Sequence, residues 1–154
     1  MGIASIRGTI KVLTDKEIKG LMKEKKIQLK PFYERCLGPV SYDVGTTIED
    51  TADFGIYKLV SHEEIKLSRD IAGIIGERSR IANYSLFASF SPLIDPGFKG
   101  HLIFLVQDPF YQLRNVQEEL GALFQIMFFR VGEVDVAYNE RKTSTGMDRK
   151  GFTA

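Results

Sequence analysis

The sequence predicts an all-β domain, a sandwich or barrel carrying one short helix near its amino terminus. Two observations predict this. Apolar residues fall in short, often alternating runs, with Gly, Pro, Asn or Asp between them at brief intervals. A single stretch, near residue 20, carries apolar residues at helical spacing. The 154 residues fit one domain, 1–154, large enough to bury a substantial core. No repeat, linker or low-complexity segment divides it.

The helix comes first. Thr14 with Glu17 three residues on forms a capping-box pattern, and Ile18, Leu21 and Met22 follow at helical spacing. These predict a helix over roughly residues 15–24, whose Lys23, Lys25 and Lys26 read as solvated surface. Ile27 and Leu29 then alternate with Gln28 and Lys30 in a strand that Pro31 stops. Further strands are expected over 41–44, 56–60, 64–67, 71–76, 86–90, 102–106, 111–116 and 124–131. Eight or more short strands with one helix make a sandwich or barrel. Residues 138–154 are polar and charged, with Arg141, Lys142, Arg149 and Lys150. They read either as a frayed end or as a flexible basic flap that orders over an anionic ligand.

Composition excludes several classes. With 44% hydrophobic residues, 27% charged residues and a net charge of +1, no global field attracts nucleic acid or a membrane. No apolar run approaches the ~20 residues that span a bilayer. Residues 1–7 lack the basic start and long apolar block of a signal peptide. The single cysteine, Cys36, cannot form an internal disulfide, so a reducing cytoplasm is expected.

Cys36, His62 and His101 are too few and too scattered for a structural zinc site. They also do not form the His-x-Glu and Pro-Cys-x-x-Cys signature of zinc nucleobase deaminases. Nucleophile-elbow, Walker and dinucleotide fingerprints are absent. Thiol catalysis by Cys36 would need a basic partner, which its neighbours Arg35 and Leu37 do not identify, so it reads as a buried or inert cysteine. The most informative stretch is Ser91-Pro92-Leu93-Ile94-Asp95-Pro96-Gly97-Phe98-Lys99-Gly100, followed by apolar Leu102 to Leu105. It sets one carboxylate on a Pro-Gly turn and reads as a β-hairpin with an acid at its bend. Asp95 is then either a turn residue capping its own backbone or a catalytic carboxylate. Arg78 and Ser79, at the end of an apolar strand, are either surface or a phosphate contact. Gln125, inside the apolar run 122–129, makes either a structural hydrogen bond or a ligand contact.

Taken together these pieces resemble the dUTPase and dCTP deaminase superfamily over most of the chain. The segments 13–18, 27–32 and 38–44, the last reading Gly38-Pro39-Val40-Ser41-Tyr42-Asp43-Val44, are similar to its archaeal deaminase-type branch. Arg78-Ser79 resembles the second family motif, Ile94 to Gly100 the third and Gln125 the fourth. Glu140-Arg141-Lys142-Thr143-Ser144 resembles the phosphate-covering tail. The resemblance implies a distorted β-barrel or jelly roll of the β-clip kind, assembled as a homotrimer with sites between subunits. It implies a deoxypyrimidine triphosphate such as dUTP as ligand, with magnesium held mainly by the substrate's phosphates. Phe98 would lie against the deoxyribose and leave no room for a 2′-hydroxyl. Arg78, Ser79 and Gln125 would meet the phosphates, with Arg141, Lys142, Ser144 and Thr145 of the tail as further contacts.

Two chemistries share that scaffold. In the deaminases a Glu five residues beyond the last Gly of the third motif shuttles protons during attack at C4 of cytosine; here that position is Leu105. The deaminases' second Arg falls on Asn83, and the tail's Lys and Tyr fall on Thr145 and Gly146. Asp95 matches the water-activating Asp of dUTPases, and Ser144-Thr145-Gly146 resembles the end of their tail. The expected activity is therefore dUTP diphosphatase, giving dUMP and pyrophosphate, with Asp95 as the base. The alternatives are a dCTP deaminase and a catalytically silent nucleotide-binding homologue.

Overall fold

The computed structural model describes residues 11–141. Helix α1 (Asp15–Lys23) precedes β1 (Ile27–Lys30), β2 (Tyr42–Val44), β3 (Thr46–Ala52), β4 (Ile56–Ser61), β5 (Glu64–Leu67) and β6 (Ile71–Glu77). Then come β7 (Phe87–Ser89), β8 (Leu93–Ile94), β9 (Lys99–Gly100), β10 (Ile103–Gln107), helix α2 (Leu113–Leu120) and β11 (Phe124–Arg130). The strands form three antiparallel sheets in the orders β1-β5-β9, β3-β4-β10-β7 and β2-β11-β6-β8. This is the mostly β architecture that the strand pattern predicts. Among the described residues no helix is long and apolar enough to cross a membrane.

Helix α1 begins where its capping pattern puts it. Thr14 Oγ1 accepts from the Glu17 amide at 3.4 Å, and Ile18 and Leu21 are the residues it buries. The second and third sheets share one core, because β10 and β11 each direct a phenylalanine inward. Phe104 and Phe124 stack with centroids 3.9 Å apart and planes 8° from parallel. Phe90 presents an edge to both, at 5.6 and 5.3 Å.

Among the described residues two carboxylates lie inside, Glu63 and Asp108. Glu63 is 1% exposed and is held by neutral donors, the Tyr42 hydroxyl at 3.2 Å and the Gly45 amide at 3.2 Å. The Tyr42 oxygen in turn accepts from the Tyr33 amide. Burial, the largest cause, pushes the Tyr42 hydroxyl well above its ordinary range and keeps it a donor. The network ties the turn after β4 to β2, since a buried carboxylate without such donors would be costly.

Three local expectations change. Residues 111–116, read as a strand, start a helix instead. Asp108, 1% exposed, accepts from the Gln112 and Leu113 amides at 2.8 Å each and so satisfies the free donors at the start of α2. Leu113, Val116 and Leu120 then share one face at helical spacing. Strand β3 was not expected, because it is rich in Thr and acidic residues. It is an edge strand with an irregularity between Ile48 and Asp50, a position where polar residues are favoured. The Asp95 segment is also not a hairpin. Its arms β8 and β9 pair with β6 and β5, in different sheets. The turn is a corner that carries the chain from one sheet to another.

Candidate active site

The corner is rigid for identifiable reasons. The Phe98 amide donates to Asp95 O at 3.1 Å, and Gly97 has φ +82°. A Cβ on Gly97 would lie 2.6 Å from Asn139 Oδ1 and 2.8 Å from Ala137 Cβ, so conformation and space both demand glycine. Three backbone bonds brace the turn: Gly97 N to Ser68 O at 3.2 Å, Leu67 N to Phe98 O at 2.9 Å, and Tyr138 N to Pro96 O at 2.8 Å. The Ser68–Asp70 corner behind it is itself fixed. Asp70 accepts from Ser68 Oγ at 2.6 Å and pairs with Lys26 at 3.1 Å and Arg130 at 3.2 Å. The Ser68 bond, then Lys26, holds the Asp70 carboxyl below the usual carboxylate range.

Asp95 is half-buried on this corner and lines a cavity of about 90 Å³ with Pro96, Val134, Val136, Ala137, Tyr138 and Arg141. Phe98 is half-buried, and its ring meets that of Tyr138 at 5.4 Å and 55°. Residues 138–140, the start of the expected tail, form a 3₁₀ turn docked on the corner. Lys142, Ser144 and Thr145 lie outside the described residues.

The other predicted contacts stand together at the far end of the third sheet. Arg78, just past β6, donates through Nη1 to Leu120 O at 2.9 Å and Ala122 O at 3.2 Å. Its Nε is 3.6 Å from Asp43 Oδ2. Gln125 is in register with Asp43 and Gly76. Its amide donates to Glu77 O at 3.3 Å and accepts from Ser41 Oγ at 3.3 Å. Ser79 is exposed at the start of a 3₁₀ turn. Arg78 thus spends Nη1 on backbone carbonyls and keeps Nε near Asp43.

One chain does not bring the two groups together. Ile94 lies opposite Gly73, whereas Arg78 follows Glu77 at the other end of β6. At about 3.3 Å per strand residue, Asp95 and Arg78 are roughly 15–20 Å apart. Leu105 faces outward from β10, 48% exposed, with Lys58 and Ser89 as its cross-strand neighbours. The carboxylate of Glu49 on the same sheet is tied to Lys58 at 2.8 Å.

Asp43 carries no site signal of its own in the sequence, and its register with Gln125 places it at the site. Burial pushes its carboxyl above the usual range, while Arg78 pulls it down. A carboxyl raised on folding costs stability when ionised, and that cost vanishes below the ordinary carboxylate range. Asp43→Asn is therefore expected to raise stability at neutral pH. The gain should disappear near about pH 3, where both forms are neutral; urea midpoints at the two pH values measure it. Burial likewise pushes the Cys36 thiol up, which makes it a poor nucleophile. Among the described residues no group of three or more His, Cys, Asp or Glu side chains could hold a metal.

No family model matches the sequence. A dCTP deaminase of Thermococcus kodakarensis is 33% identical over 70% of this chain and 78% of its own. The chain belongs to the dUTPase/dCTP deaminase superfamily. A second member of the superfamily, a dCTP deaminase of Korarchaeum cryptofilum, is 28% identical over 83% of this chain and 90% of its own. The crystal structure of 2′-deoxycytidine 5′-triphosphate deaminase from Agrobacterium tumefaciens has the same fold. The TM-score is 0.59 at 15% identity, covering 80% of this chain and 47% of that one.

Proposed function

We propose that this member of the superfamily is a dUTP diphosphatase, which hydrolyses dUTP to dUMP and pyrophosphate. The observation that carries this reading is Leu105. At the strand position where the superfamily's deaminases have their proton-shuttling Glu, the outward side chain is aliphatic, between Lys58 and Ser89. An isobutyl group cannot move a proton to or from cytosine. Attack at phosphorus asks for less: a carboxylate that orients and deprotonates one water, and charges that neutralise the triphosphate. Asp95 supplies the first, on a corner whose geometry is set by backbone bonds.

The second requirement falls to Arg78, Ser79 and Gln125, joined by Arg141 and by Lys142, Ser144 and Thr145 of the tail. The distance of Arg78, Ser79 and Gln125 from Asp95 within one chain supports a homotrimer in which each site takes Asp95 from one copy and these three contacts from another. Magnesium would arrive on the substrate's phosphates, whose charge it neutralises.

Deamination of dCTP is the second reading, favoured by the names of the relatives from Thermococcus kodakarensis and Korarchaeum cryptofilum. Incubation with magnesium and each deoxynucleoside triphosphate, followed by separation of products, decides between them. The diphosphatase reading expects dUMP from dUTP and unchanged dCTP. Formation of dUTP from dCTP would overturn it.

A further inference from the structure

The segment 134–140 crosses the Asp95 corner and is fastened there by one side chain from another element. Arg69, in the turn between β5 and β6, donates through Nη2 to Val134 O at 2.8 Å and to Asp135 O at 3.3 Å. Its Nη1 is hydrogen-bonded to Glu140. Glu140 also accepts from the Ala137 amide at 3.2 Å, which closes the 3₁₀ turn. That Arg69 contact, then the Ala137 bond, holds the Glu140 carboxyl below its ordinary range, so the clamp is fully charged at neutral pH.

The clamp sets what the strap presents to the corner. Ala137 is 1% exposed and would touch a Cβ on Gly97, and the Tyr138 amide is bonded to Pro96. These two contacts place the Tyr138 ring against Phe98. On its inner side Phe98 packs on the core. The ring therefore lies between the core and Tyr138, and its freedom to tilt depends on the tyrosine staying in place. A steric gate works only if it cannot yield: an aromatic ring that swings aside admits the extra oxygen it should exclude.

We propose that Arg69 and Tyr138 are positioning residues for sugar selection, with the Arg69-clamped strap holding Phe98 rigid so that the site rejects ribonucleotides. The inference rests on the nucleotide reading of this site and adds two residues to it. It needs the Tyr138 ring, not its hydroxyl.

The test compares kcat/KM for dUTP and UTP in the parent protein, Tyr138→Ala, Tyr138→Phe and Arg69→Ala. Hydrogen exchange at the Gly97, Phe98 and Tyr138 amides is followed in parallel. The parent is expected to prefer dUTP strongly. Tyr138→Ala and Arg69→Ala should lose about 5- to 20-fold of that preference, mainly by lowering KM for UTP, while exchange at the three amides quickens. Tyr138→Phe should behave as the parent. A purely structural role would lower the melting temperature of the alanine variants and leave the dUTP-to-UTP ratio unchanged; that result overturns the inference and leaves the nucleotide reading standing. A parent that turns over dUTP and UTP equally also overturns it. A parent that turns over neither overturns the diphosphatase reading, and the inference falls with it.

Discussion

Asp95→Asn is expected to lower dUTP turnover by about 10²- to 10⁴-fold with the fold intact, the range for removing a positioned general base. Asparagine has nearly the size of aspartate but cannot take a proton from water. The corner does not depend on the carboxylate. Its bonds run through Asp95 O, Pro96 O, Gly97 N and Phe98 N and O, all backbone atoms. The variant should therefore melt within about 1 kcal/mol of the parent, as a substitution outside the core does. Single-turnover rates at saturating dUTP, read with a thermal melt, separate the effects. A fall below about tenfold would mean that Asp95 is a turn residue after all.

Phe104→Ala is expected to cost about 3–5 kcal/mol, the range for emptying an aromatic site in a packed core. Phe104 is fully buried. It stacks on Phe124 from another sheet and takes the edge of Phe90, so truncation removes contacts on two sides at once. The neighbouring strands cannot close the space, because β10 is hydrogen-bonded on both edges to β4 and β7. Urea unfolding with unchanged m-value measures the loss. A cost under about 1.5 kcal/mol would show that the sheets repack independently of this stack.

Much of the fold was legible because its signals are local. Thr14 and Glu17 announce α1, and the alternation of Ile27 and Leu29 announces β1. Pro31, Gly45 and Asp108 punctuate the chain where elements end. What escaped depends on partners remote in sequence. The edge strand β3 has no apolar period to detect, since only its pairing with β4 makes it a strand. Helix α2 was hidden because Tyr111 and Leu113 alternate as in a strand, and the helical spacing of Leu113, Val116 and Leu120 becomes decisive only once Asp108 is seen to cap the helix. The Pro-Gly signal located the Asp95 turn correctly but could not tell that its two arms join different sheets.

The candidate site divides in the same way. Asp95, Phe98, Arg78, Ser79 and Gln125 stand out as residues or motifs, and Asp43 becomes part of the site through its register with Gln125. Arg69 carried no signal, as a surface arginine between Ser68 and Asp70 looks like any other. Its bonds to Val134, Asp135 and Glu140 span more than sixty positions. Tyr138 was read as the first residue of a tail, yet it packs on the corner. The spacing between Asp95 and Arg78 was equally invisible, because it is a property of where along β6 each one falls.

On the diphosphatase reading this scaffold performs phosphorus chemistry and not base chemistry. Turnover of dUTP and dCTP in heavy-oxygen water, with magnesium and mass analysis of every product, tests it most directly. Attack of an Asp95-activated water at the α-phosphorus predicts one heavy oxygen in dUMP, none in pyrophosphate, and dCTP recovered unlabelled. Heavy oxygen at O4 of a uracil product formed from dCTP would contradict the account.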